Sequence, residues 1–304
     1  MQSLSRGWSF LQEAWRMAFK DKDLIKPSIY ALFVGLIVTV IGLVPLIGAA
    51  FLFGGTSSFT GQVALTVVGA IFIFIHYVIN YIFSGMTVYL IYGYLAEGDG
   101  RMDKAWARVG HELLNLIALA AASTVVSVLT SSVRNRSRRS GNVAAGLIGG
   151  AVGGILEAVW TEASYLILPA MMIEDVNLVG GIKRATQIAK GNLLLIGVST
   201  VGVRWVTGLI GFALGALGLL IGFAVGGGLI ALLGTSDVTG LVVGIGLGAM
   251  IFFLFALVAS VISSYTMTAY NTCLFLWARD VEKAQAQGKP IQVAAPAPLA
   301  AVLG

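Results

Sequence analysis

Long apolar runs alternate with short polar segments along the whole chain. Runs able to cross about 30 Å of hydrocarbon, which takes about 20 helical residues, occupy 27–53, 63–95, 113–133, 143–173, 193–234 and 240–278. Six spans is the simplest count. Pro45 predicts a kink in the first run and Pro169 a bend or an end in the fourth, because each removes a backbone donor. As straight helices of about 40 residues the last two runs would reach about 60 Å. They therefore tilt, break at Gly226-Gly227-Gly228, or project as an apolar hairpin, and eight spans stay open with parity unchanged.

The polar segments carry a different period. Leu4, Trp8, Leu11, Trp15 and Phe19 fall at spacings of 4, 3, 4 and 4, one helical face opposite Arg6, Gln12, Glu13, Arg16 and Lys20. This predicts an interfacial helix with Trp8 and Trp15 as anchors at headgroup depth. Residues 1–26 are too polar, and run too long before the first apolar stretch, to read as a cleaved signal peptide.

Composition narrows the class. Of 304 residues 58% are apolar and 11% charged, and the mean hydropathy is +0.91, which excludes an ordinary soluble domain and a disordered chain. The 39 glycines follow no Gly-X-Y period, so a collagen-like chain is excluded as well. Of 19 Lys and Arg residues, 14 lie in the terminal segments and in 97–112 and 174–191. This bias predicts a plasma-membrane protein with both termini cytoplasmic. It also attributes the net charge of +5 to lipid headgroups and topology, with no nucleic-acid partner. Arg134, Arg136, Arg138 and Arg139 form one external basic loop, read as a solvated turn or as a contact for an acidic partner or headgroup. One cysteine, Cys273, and two distant histidines predict no disulfide, metal or other cofactor.

The chain also repeats. Amphipathic pieces at 3–20, 103–112 and 178–190 each open into an outward-going span. On the returning spans Tyr89, Tyr165 and Tyr270 each precede an aspartate, Asp99, Asp175 and Asp280, by ten residues. The fold expected is an all-α polytopic membrane helical bundle, with three cytoplasmic interfacial helices in a pseudo-threefold repeat of helix plus transmembrane hairpin. Its parts are 1–96, 97–176 and 177–283, the last with a long Gly-rich hairpin, followed by a flexible cytoplasmic tail, 284–304. Arg6-Gly7-Trp8 with Trp15 and Asp21-Lys22-Asp23, the Asn80-Tyr81 pair, Ala105-Trp106, and Pro169 followed by Lys183-Arg184-Ala185 resemble an uncharacterised prokaryotic family of multi-pass membrane proteins. The resemblance implies the architecture and carries no activity.

Two groups of residues could carry function. Gly208, Gly211, Gly215, Gly218 and Gly222 keep spacings of 3, 4, 3 and 4, and Gly146, Gly150 and Gly153 make a second stripe. Such faces let helices approach closely, within the chain or in a homo-oligomer. The second group lies deep in the spans, where ionisable side chains cost a few kcal/mol unless paired or hydrated. Glu157 and Arg204 extend the two glycine stripes, which predicts that they face packed helices. Glu162 and Arg204 stand twelve residues from Glu174 and Asn192 respectively, about 18 Å of helix in each case, and make the first-choice ion pair. His76, Asn80, Ser84 and Thr87 share one face, which would line an aqueous path or bind helices together.

No phosphate-binding loop, paired metal ligands or nucleophile elbow is found, so no catalytic residue is assigned and the chain reads as non-enzymatic. Two functions follow. One is a homo-oligomeric channel or transporter for ions or small solutes. The other is a non-conducting scaffold that shapes the bilayer or holds a protein partner, whose identity the sequence leaves open.

Overall fold

The computed structural model describes the backbone of residues 2–139, 143–233, 238–288 and 293–303, and the side chains of 5–134, 149–190, 203–232, 240–288 and 293–300. The described residues are helical, with no strand among them: α1 (Gln2–Lys20), α2 (Lys26–Leu52), α3 (Phe59–Glu97), α4 (Met102–Arg139), α5 (Val143–Glu174), α6 (Leu178–Leu233), α7 (Val238–Ala286) and α8 (Ala297–Leu303). Six of them, α2 to α7, are long and apolar enough to cross a membrane, and each carries one of the six expected runs.

Local chemistry sets the boundaries. Asp21 accepts a bond from the Asp23 amide through its side chain and caps a short 3-10 turn at Lys22–Leu24, after which Pro27 stands in the first turn of α2. Gly54 and Gly55 turn with φ of 76° and 59°, and Ser58 then caps α3 by accepting the Gly61 amide at 2.9 Å. Gly98, at φ 79°, closes α3 in the left-handed conformation that glycine adopts without penalty. Gly100 follows, its amide donating to Asp21 at 2.7 Å. A methyl group there would stand 2.8 Å from that carboxylate, which would have to shift to admit it.

This arrangement bears on four expectations. The segments 103–112 and 178–190 are not separate interfacial helices, because α4 and α6 run unbroken from them into their spans. Only the first piece is cut off, by the Asp21 cap and Pro27, and neither of the other two has such a stop before its span. Gly226-Gly227-Gly228 does not break α6, since close backbone packing, described below, supports the helix there. Of the two alternatives at Pro169, an end to the helix is not taken, since α5 continues past it to Glu174, and Pro45 likewise lies inside α2. The tail is not wholly irregular, as α8 packs on α1 with Leu299 fully buried.

The chain divides into two compact units. One comprises residues 1–20, 194–270 and 294–304; the other comprises 21–193 and 271–293. In the second unit the buried apolar side chains gather at one end of the helices: Met86, Leu90 and Ile91 on α3, Ala105, Val109 and Leu116 on α4, and Ile167, Ala170 and Met171 on α5. The other ends expose large apolar side chains such as Val40, Ile41, Val63 and Val67, as a helix facing lipid does. In the first unit the α6–α7 hairpin is narrow where glycines meet. A methyl group on Gly222 would lie 2.5 Å from the Gly248 carbonyl oxygen, and one on Gly226 2.5 Å from that of Gly244.

Candidate functional site

Some polar residues of the spans meet a neighbouring helix and others bond within their own. Thr39 on α2 and His76 on α3 meet at 2.9 Å, while the other ring nitrogen of His76 lies 2.9 Å from the Phe72 carbonyl oxygen. Thr87 donates to Phe83 O at 3.0 Å and is fully buried; Ser84 reaches only Asn80, at 3.4 Å, and Asn80 is exposed. Of the four residues expected as one polar row, only His76 thus reaches another helix, while Asn80, Ser84 and Thr87 bond within α3 itself.

A node that the sequence did not reveal joins three helices. Ser123 on α4, fully buried, lies 2.7 Å from the Tyr81 hydroxyl of α3 and accepts from the Trp160 indole of α5 at 2.9 Å. Ser123 stands beside Thr124 and near Ser127 and Thr130 in an apolar run, and nothing local singles it out; its role depends on partners 42 and 37 residues away.

Glu157 does not sit on a packed face. It is exposed and accepts from Arg134 at 2.6 Å, the two side chains being 49% and 39% accessible. The glycine phase misplaced it because α4 meets α5 through Gly153, whose added methyl group would touch the Thr130 carbonyl, while Gly150 faces open space. Glu162 and Arg204 belong to different units, and each has an interaction partner. Arg136, Arg138, Arg139 and Gly146 lie outside the described side chains.

The glycine stripe of α6 divides in two. Gly218 and Gly222 pack on α7, against Phe255 and Gly248, whereas methyl groups on Gly208, Gly211 and Gly215 would meet nothing within 4 Å. Trp15 is engaged within the chain. Its indole donates to Thr266 at 3.2 Å and its ring meets Tyr265 edge-on, so it holds α7. Trp8 stays exposed.

The densest charged chemistry lies at the α5 C-terminus. Arg108 donates to the Met171 and Met172 carbonyl oxygens at 3.1 and 2.9 Å and meets Asp175 at 2.9 Å and Glu112 at 3.4 Å. A cation at this end offsets the helix dipole and fills acceptors that the helix leaves open. Glu112, 2% exposed, also faces His111 at 3.1 Å and accepts from Asn115 at 2.8 Å. Asp175 takes φ 60°, the one described non-glycine residue at positive φ. Hydrogen bonding with Glu112, followed by the Arg108 charge, holds its carboxyl below the ordinary range. Among the described residues, His111, Glu112 and Asp175 have donor atoms close enough, within 4.8 Å, to hold a divalent cation. The Arg108 guanidinium already supplies their positive charge.

A second arginine completes this end. Arg184 on α6 forks onto Glu174 at 2.8 and 3.2 Å, reaches Glu282 on α7, and lies 6.0 Å from the Phe275 ring centre. Burial lowers its pKa, but its bonds to the two carboxylates outweigh this and raise it.

No known protein-family model matches this chain, and no curated protein matches it. The geometry therefore carries the functional reading.

Proposed function

We propose that the chain is a non-conducting, non-enzymatic membrane scaffold. The observation that carries this reading is the Tyr81–Ser123–Trp160 node, in which one buried hydroxyl joins three helices. Thr39 with His76 and Arg134 with Glu157 follow the same pattern. Polar groups in apolar spans serve here as connectors between helices, a use that lowers their cost without any solvent path. The arginine-bound helix ends give the scaffold a firm base, and the open half of the α6 stripe offers a surface for a second copy. The basic terminal segments support cytoplasmic termini in the plasma membrane.

Flux through purified protein in liposomes tests this, with oligomeric mass measured in the same preparation. The expected result is no ion or solute flux across gradients and voltages from a folded oligomer. Flux that falls in Glu157→Gln while thermal stability is kept would replace the scaffold with a pathway.

A homo-oligomeric channel or transporter is the second reading, and one observation favours it. Glu157 and Arg134 are half-exposed although Glu157 lies inside an apolar span. Several copies arranged around these pairs would give a charged lining of the kind seen where ions or solutes cross.

A further inference from the structure

In the first unit, α1 sits just past the apolar part of α7. The large exposed apolar side chains of α7 run from Leu241 to Val258. Seven residues on, about 10 Å along the helix, the Tyr265 hydroxyl donates to the Ala14 carbonyl at 2.9 Å and Thr266 receives the Trp15 indole. One turn further, Tyr270 meets Phe10 edge-on at 5.3 Å. The contacts step from Tyr270 back to Tyr265 as α1 runs from Phe10 to Trp15, so α1 approaches the apolar belt toward its C-terminal end. The headgroup layer reaches about 5–8 Å past the hydrocarbon on each side, and the last turn of α1, beyond Trp15, is the part of the helix nearest to it.

The outward face of α1 suits that layer. Phe10, Ala14, Met17 and Ala18 are buried, while Trp8 is 49% and Phe19 74% exposed, with Gln12 exposed between them. Beside this strip stand Arg16, its side chain 67% exposed and paired with Glu13 at 2.9 Å, and Lys20, exposed at the last position of the helix. Over its length α1 carries Arg6, Arg16 and Lys20 against Glu13 alone, a net positive charge. Aromatic rings beside cations are what an interfacial helix presents to an anionic leaflet, with rings at the acyl boundary and cations on phosphates.

We propose that the C-terminal end of this face of α1 docks on anionic phospholipid headgroups, with Phe19 in the interfacial layer and Arg16 and Lys20 on lipid phosphates. The proposal holds for a scaffold or a conducting protein alike, since it needs only that α7 crosses the bilayer. It moves the anchoring role from Trp15 to Phe19.

The test uses the full chain with Phe19→Cys labelled by an environment-sensitive apolar fluorophore that takes the place of the exposed ring; the native Cys273 is fully buried. The protein is reconstituted in phosphatidylcholine vesicles with and without about one third phosphatidylglycerol. The expected result is blue-shifted emission and a several-fold larger quench by headgroup spin-labelled lipid in the anionic vesicles, reduced by salt and lost in Arg16→Gln with Lys20→Gln. Salt dependence in the unaltered chain serves as the readout even if the double variant folds poorly. Equal emission and quenching in both vesicles would overturn the proposal. Emission that follows the protein-to-lipid ratio and ignores phosphatidylglycerol would also overturn it, assigning the face to a second copy.

Discussion

The α4–α5 helix ends and the α6–α7 hairpin solve the same problem, holding long apolar helices together, by opposite means. At the α5 terminus Arg108 and Arg184 collect carbonyls and carboxylates from several helices, and buried Glu112 is satisfied by three partners. In the hairpin no such charges are engaged along the seam among the described residues, and Gly222 and Gly226 let backbone meet the backbone of Gly248 and Gly244. Polar locks fix helix ends at one geometry through direction and charge. Glycine seams gain dispersion by closeness and leave Phe212, Leu220 and Phe223 facing outward. The two regions should therefore fail differently: one to loss of charge, the other to added volume.

Volume in the seam should have the largest effect. Gly222→Leu forces a side chain into the Gly248 carbonyl, at a cost of about 3 kcal/mol, visible as an earlier unfolding midpoint in detergent. Charge loss at the helix ends comes next. Arg184→Met leaves Glu174 and Glu282 without their guanidinium; with these groups about one fifth to one third exposed, the cost is about 2 kcal/mol, measured in the same way. Glu174→Gln together with Arg184→Met should recover part of it, since the stranded charge is then smaller.

A smaller effect is expected at Asp175, with a pH signature. Its folded pKa is depressed, so its contribution is complete above the ordinary carboxyl value of about 4 and is lost as pH falls through the lower folded value. The stability gap between the protein and Asp175→Asn should be constant above about pH 5 and close below about pH 4, as unfolding at a series of pH values will show. A gap that persists at low pH would mean that Asp175 acts through its backbone conformation and not its charge. The smallest effect belongs to the open half of the stripe. A methyl group at Gly211 would meet nothing within 4 Å, so Gly211→Ala should leave the monomer within about 0.5 kcal/mol, while lowering oligomer mass if a second copy packs there.

The six spans were legible because hydropathy needs no partner: each apolar run predicts its own helix. The glycine seam was half legible. A regular stripe names a close-packed face, yet nothing in it says that α7 covers Gly218 and Gly222 and stops short of Gly215. Trp15 and Phe19 share a face by periodicity, and only the position of α7 turns one ring inward and leaves the other exposed. The arginine locks were not legible, since Arg108 finds Met172 at a separation of 64 residues and Arg184 finds Glu282 at 98. A trace was present in the aspartate that follows each returning tyrosine by ten residues, of which Asp175 joins the Arg108 cluster.

The central claim is that polar side chains in the spans bind helix to helix. A double-mutant cycle on Tyr81→Phe and Ser123→Ala, read by reversible unfolding in bicelles, tests it most directly. A coupling energy of about 1 kcal/mol, the size found for interhelical hydrogen bonds, is the expected result. Strictly additive losses, or no loss in either single variant, would contradict the account.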